Sequence, residues 1–133
     1  MTSFYLRIVT PNGEAFSGMA EKILLRTIHG DVCLLAKHID YITALGMGEC
    51  RVAVAGGEVR KAACIGGMVM VSDEMVHVVA STFEWADAID MARAEKSKEE
   101  AEKALASSDL SPKERNLMEA KLKRALVRMK VHG

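Results

Sequence analysis

The sequence predicts a β-sandwich of short strands followed by an antiparallel hairpin of two helices. Two changes near residue 85 carry this prediction. Nine of the ten glycines and every aromatic residue except Trp85 come before it. The rest of the chain is dominated by Ala, Lys, Glu, Arg, Leu and Met, which are the strongest helix formers. We therefore expect a β-sandwich domain at residues 1–84 and a C-terminal α-helical hairpin at residues 85–133.

The first part contains eight apolar segments of strand length, such as "FYLRIV", "KILLRTI" and "MVHVVAS". Turn signals separate them, among them "TPNGE", "HGD" and "AGGE". This spacing is typical of an all-β sandwich or barrel. Some segments alternate apolar and polar residues and others are apolar almost throughout, a mixture that suits two packed sheets.

The second part divides into two helices at the stretch "SSDLSPKE". Ser111 fits the N-cap of the second helix, Pro112 its first position, and Glu114 the third position of a capping box. A connection of about four residues makes the helices antiparallel. The stripe of the first helix consists largely of alanine and buries little area, so we expect a hairpin of marginal stability.

Composition excludes several classes of protein. The 18 basic and 18 acidic residues balance, whereas nucleic-acid binders usually carry a basic excess. The apolar runs are too short to span a bilayer, and the N-terminus lacks the pattern of a signal peptide, so we expect a soluble intracellular chain. Cys33, Cys50 and Cys64 are odd in number and lie among apolar residues, which predicts free core thiols.

An acidic residue stands out in the stretch "TFEWADAIDMARAEKSKEEAEKAL". If the whole stretch is helical, Asp90 lies in a stripe of alanines, where an isolated carboxylate is costly to bury. Arg93 follows one turn later, and Arg124 and Arg128 lie at a similar level on the second helix. One acid with three arginines suits a nucleotide triphosphate. The alternative is a structural ion pair between Asp90 and Arg93 on a solvated, charge-rich face.

The order of motifs resembles that of the epsilon subunit of the bacterial F-type ATP synthase. The matching segments are "IVTPNG", "HGDVCLLAKHIDYITAL", "IGGMVMVSDEMVHVVAS", "AIDMARA" and "KLKRALVRM", and they span essentially the whole chain. The resemblance implies a β-sandwich of about ten strands and a two-helix hairpin on the central rotor stalk. It implies that the sandwich binds the gamma subunit and the c-ring. The hairpin would fold on the sandwich or extend among the alpha and beta subunits to inhibit ATP hydrolysis.

The resemblance also implies a peripheral position on the cytoplasmic face of the bacterial membrane and a regulatory ATP site. The segment from Ile89 to Ala94 matches the family's pattern for an ATP-binding hairpin. The implied ATP ligands are Glu84, Ile89, Asp90, Arg93, Arg124 and Arg128. Two departures stand out: Glu100 replaces an arginine common in the ATP-binding members, and the loop Leu35–His38, on the c-ring side in the family, lacks the usual proline.

Two other interpretations remain open at the level of sequence. The first is the same rotor subunit without nucleotide sensing, in which the basic residues of the second helix meet acidic surfaces on the catalytic head. The second is a small enzyme that uses one of the three cysteines with a histidine. On the rotor interpretation we expect no catalytic residue, no metal and ATP as the one possible ligand.

Overall fold

The computed structural model describes residues 2–37, 40–73 and 75–133, and His38, with its predicted loop role, lies outside them. The chain divides into two compact units, Met1–Ala86 and Asp87–Gly133. This division falls two residues after the boundary expected from the sequence, because the last strand continues through Trp85. No helix in the described ranges is long and apolar enough to cross a membrane.

The first unit is a β-sandwich of seven strands in the described part of the chain. They are β1 Phe4–Thr10, β2 Gly13–Thr27, β3 Gly30–Leu35, β4 Tyr41–Ala44, β5 Met47–Val54, β6 Val59–Ser72 and β7 Met75–Trp85. The strand order is β1-β7-β6-β5-β2-β3, with β4 paired to β6. Strand β1 also pairs with β2, which closes the sheet on itself. All pairs are antiparallel except β1 with β7.

The described residues form seven strands rather than the ten implied by the resemblance, because the long strands contribute to both layers. Strand β2 pairs with β1 along its first half and with β5 along its second, and its register shifts between Ala20 and Lys22. The segments "EVRKAACI" and "MVMVS" are one strand, β6, rather than two. Gly66 and Gly67 have positive φ, so they redirect β6 without ending it.

The core of the sandwich follows from alternation along the strands. On β1, Phe4, Leu6 and Ile8 are fully buried while the residues between them face outward. An aromatic cluster closes one part of this core: the rings of Phe83 and Trp85 meet edge to face at 4.9 Å. The Trp85 indole N–H donates to the Ala15 carbonyl at 3.2 Å, which secures the end of β7.

The second unit is the predicted helical hairpin. Helix α1 spans Met91–Leu105 and α2 spans Pro112–His132, after a 3-10 turn at Ala86–Ala88. The predicted capping box is confirmed: the Ser111 hydroxyl accepts from the Glu114 backbone N–H at 3.1 Å, and the Glu114 carboxylate accepts from the Ser111 N–H at 3.2 Å. Only small side chains are buried on α1, Ala94 and Ala101, so the helices gain little from apolar burial.

Candidate anion site on the helical hairpin

Asp90 is the N-cap of α1 and is exposed to solvent. Its carboxylate accepts a hydrogen bond from the Arg93 backbone N–H at 3.1 Å. The expectation of an acid inside an apolar helical stripe is wrong, because β7 holds the chain through Trp85 and α1 begins only at Met91. Asp90 therefore pays no burial cost, and capping alone explains an acid at this position.

An ion pair between the helices shows which residues of α1 and α2 lie at the same level. The Lys121 ammonium donates to the Glu100 carboxylate at 2.8 Å. Arg93 precedes Glu100 by two helical turns, and Arg128 follows Lys121 by two turns, which is about 10 Å along each axis. A separation of seven residues returns to nearly the same side of a helix. Because the helices are antiparallel, Arg93 and Arg128 therefore lie near the same level of the hairpin.

Arg124 lies between Lys121 and Arg128 on α2, one turn from each. We call the side of the hairpin that carries Arg93, Lys121, Arg124 and Arg128 the basic flank. On α2 the arginines of this flank are partly buried, whereas Arg93 on α1 is exposed. Guanidinium groups present forks of donors that match phosphate oxygens, so this flank has the chemistry of a polyanion site.

The alternative ion pair between the side chains of Asp90 and Arg93 is not seen among the described residues, where the Asp90 carboxylate accepts from the Arg93 backbone instead. The guanidinium of Arg93 therefore remains available for an anion. Ile89 is buried, with 6% of its surface exposed. Glu84 belongs to the sandwich unit, where it pairs with Ala63 across β7 and β6.

Five of the six predicted ligands lie in the second unit: Ile89 and Asp90 just before α1, and the three arginines on the basic flank. The structure also adds Glu100 and Lys121, which sequence reasoning did not connect. The hydrogen bond and charge of Lys121 lower the pKa of Glu100 below its ordinary value. A common interval of seven residues, from Arg93 to Glu100 and from Lys121 to Arg128, is the signal that could have found this pair.

A second feature lies on the outer surface of the sandwich. Four of the nine methionines face outward on adjacent strands, and we call this surface the methionine face. Its members are Met19, Met68, Met70 and Met75, with Tyr5, Ile42, His77 and Val79 in register beside them. Met19 and Met68 each expose 45% of their surface, and a cleft of about 470 Å³ is lined partly by Met68 and Met70.

His77 adds one polar group to the methionine face. It lies opposite Met70 on β6 and Arg7 on β1. Among the described residues, its Nε2 atom is buried without a hydrogen-bond partner. A contiguous apolar surface of this kind is characteristic of protein–protein contacts.

Two of the three cysteines, Cys50 and Cys64, are poorly suited to act as nucleophiles. Burial raises the pKa of Cys64 to about 12 and that of Cys50 well above its ordinary value, so neither is a thiolate near neutral pH. Cys33 is exposed, which corrects the expectation that all three are core thiols. It lies on the outward side of β3, where its neighbour Leu34 takes the core position. Within the described ranges, no group of three His, Cys, Asp or Glu residues could hold a metal ion.

Both units match known protein families. Residues 3–86 match the β-sandwich domain of the ATP synthase delta/epsilon chain, and residues 87–133 match its long α-helix domain. The ATP synthase epsilon chain of Ruminococcus albus is 42% identical over 132 residues, covering 98% of this chain and 97% of that relative. The epsilon chain of Shouchella clausii is 35% identical, covering 98% and 96%.

Solved structures share the fold. A chain of the Euglena gracilis mitochondrial ATP synthase, in an assembly of OSCP, F1 and c-ring, gives a TM-score of 0.84 at 22% identity, covering 98% of this chain and 81% of that one. A chain from the central stalk and c-ring of the Tetrahymena thermophila enzyme gives 0.69 at 14% identity, covering 97% and 96%. The chain therefore belongs to the ATP synthase delta/epsilon family, as an epsilon-type, non-catalytic subunit.

Proposed function

We propose that this chain is the rotor subunit that links the catalytic head of an F-type ATP synthase to its membrane c-ring, so that ion flow is coupled to ATP synthesis. The observation that carries the proposal is the match of both domains, in order, to epsilon chains along nearly their whole length. In this function the chain lies peripherally on the cytoplasmic face of the membrane. The sandwich is the adaptor and the hairpin is the regulatory element.

The methionine face is the proposed contact for the gamma subunit or the c-ring. Methionine side chains are unbranched and polarisable, so they can adapt their conformation to the surface of a partner subunit. Met68→Lys places a charge at this face, and we expect it to weaken binding to a purified gamma and c-ring subcomplex by about tenfold or more. Val59→Lys, at an exposed position on the same strand, is the matched control. Equal binding by the two variants would exclude this face as the contact.

We further propose that the hairpin inhibits ATP hydrolysis by the alpha and beta subunits. Its two helices bury few large side chains against each other, so separating them for another partner costs little apolar burial. Arginines on its flank complement acidic surfaces. Adding the chain to epsilon-depleted F1 should lower hydrolysis, and Arg124→Gln with Arg128→Gln should relieve part of that inhibition. If the double variant inhibits hydrolysis as strongly as the parent, the two arginines do not contribute to the inhibitory contact.

The basic flank is the proposed site of regulatory ATP, with Arg93, Arg124 and Arg128 on the phosphates. A calorimetric titration of ATP into the isolated chain, with ADP as comparison, tests this directly. Arg93→Gln should weaken binding by about tenfold, as expected when one charge-assisted phosphate contact is lost. Lys130→Gln removes the same charge from an exposed position on another side of α2 and should have little effect.

The same subunit without nucleotide sensing is the second candidate, and the capping contact of Asp90 favours it. That contact accounts for the acid without any ligand. Asp90→Asn separates the two candidates, because asparagine caps a helix about as well as aspartate but carries no charge. Weaker ATP binding with unchanged helix content supports nucleotide sensing. Absence of saturable ATP binding by the parent chain up to millimolar concentrations supports the second candidate.

A further inference from the structure

The ion pair between Glu100 and Lys121 lies on the same flank as the proposed phosphate ligands. We infer that Glu100 is an internal competitor for polyphosphate: it occupies Lys121 and restricts anion binding to the end of the flank that carries the three arginines. This inference rests on the proposed nucleotide site and identifies a residue that sets its affinity. In addition to the loss of the arginine common in the ATP-binding members, the acid at this position would then engage a cation that a phosphate could use.

Geometry places the competitor within range of the site. Arg124 is three residues beyond Lys121, a rise of about 4.5 Å along the same helix. A polyphosphate that reaches Arg124 therefore lies within one helical turn of Lys121 and of the carboxylate bound to it. Screening at physiological ionic strength acts over about 8 Å, so the charge of Glu100 is felt across that distance.

Exposure makes the competition reversible. The side chain of Lys121 exposes 30% of its surface and that of Glu100 exposes 50%, so solvent and solutes reach both. An ion pair of this kind is weak enough for another anion to replace it. Its two members also hold α1 against α2, so an anion that takes Lys121 from Glu100 removes one contact between the helices while adding its own.

The substitution Glu100→Gln tests the inference because it keeps the size of the side chain and removes its charge. Lys121 then loses its carboxylate partner and becomes available to an anion on the flank. We expect the affinity of the full-length chain for inorganic tripolyphosphate and for ATP to rise by about tenfold. The increase should shrink at high salt, since it arises from charge.

Two controls isolate the effect. Glu99→Gln makes the same charge change at an exposed position on α1, off the flank, and should leave the affinity nearly unchanged. Combining Glu100→Gln with Lys121→Met should return the affinity to the parent level, because the released cation is gone. Helix content measured by circular dichroism checks that each variant keeps its hairpin.

Calorimetry on these variants separates the inference from the proposed function. If the parent binds and Glu100→Gln binds no more tightly than Glu99→Gln, the competitor role is wrong while the nucleotide site stands. If the parent fails to bind tripolyphosphate and ATP but Glu100→Gln binds them, the competitor role is supported and explains why the parent does not bind. If no variant binds tripolyphosphate or ATP, both the competitor role and the nucleotide site are wrong.

Discussion

Gly67 provides the sharpest test of the sandwich architecture. It lies where β6 changes direction, with φ of +116°, and pairs with Ala80 on β7. A Cβ atom at this position would overlap the Val79 carbonyl oxygen and lie 2.8 Å from the Ala80 Cα. Both obstacles are backbone atoms, so no side-chain rotation relieves them. Gly67→Ala should therefore force β6 and β7 apart.

The expected loss of stability in Gly67→Ala has two contributions. A side chain at positive φ costs about 1–2 kcal/mol, and inserting a methyl group into packed backbone costs about 1–3 kcal/mol more. Gly67→Ala should thus lower the free energy of unfolding by about 2–5 kcal/mol. Gly56→Ala is the matched control, because Gly56 has φ of +105° but nothing within 4 Å of its added Cβ. It should cost only the first part, about 1–2 kcal/mol.

Urea unfolding followed by the fluorescence of Trp85 measures both variants. Trp85 is the one tryptophan of the chain and ends β7, so its signal reports the sandwich rather than the hairpin. With a slope of about 1.5 kcal/mol per molar urea, the additional cost of about 1–3 kcal/mol lowers the midpoint by about 0.7–2 M relative to Gly56→Ala. Equal midpoints for Gly67→Ala and Gly56→Ala would refute the close approach of β6 and β7 at this residue.

Three further predictions concern capping, pH and thiol chemistry. Ser111→Ala should destabilise α2 by about 1 kcal/mol, seen as a lower thermal midpoint of helical circular dichroism. The pKa of Glu100 is lowered in the folded chain by Lys121, so the ionised pair stabilises the hairpin at pH values above 4.5, the ordinary pKa of glutamate. This stabilisation should be lost as the pH falls through the lowered pKa of the folded state, and Glu100→Gln should remove this pH dependence. A thiol reagent should modify Cys33 rapidly in the folded chain, whereas Cys64 should react only after unfolding.

Local chemistry was sufficient to predict part of the fold. The start of α2 depends on four neighbouring residues, from Ser111 to Glu114, so its capping box could be predicted from sequence. The course of β6 could not be predicted, because a pair of glycines occurs both in turns between strands and at bends within a strand. At Gly56 and Gly57 the chain reverses between β5 and β6, whereas Gly66 and Gly67 lie inside a continuous strand. Pairing with β7 along its length distinguishes the second pair.

Sequence predicted only those features of the candidate site that depend on the spacing of residues within one helix. The arginines of α2 follow from helical periodicity, and their interval places them on one flank. Asp90 was misplaced because helix propensity does not show where a preceding strand ends. The contact between Glu100 and Lys121 joins residues 21 positions apart, and it depends on how the two helices align.

The interactions that stabilise the sandwich differ from those that stabilise the hairpin, and this difference suits the adaptor and regulatory roles proposed for them. The sandwich buries many Leu, Ile and Val side chains in a closed sheet, so its stability depends mainly on apolar burial and little on charged surface groups. The hairpin buries mainly alanines on α1, so its balance depends on exposed groups: the Asp90 cap, the Ser111 capping box and the pair of Glu100 with Lys121. Of these groups, the pair of Glu100 with Lys121 lies on the basic flank, where a bound anion would compete for Lys121. In the proposed function, an anion that takes Lys121 from Glu100 changes one contact between the helices, and in this way it would shift the hairpin between partners.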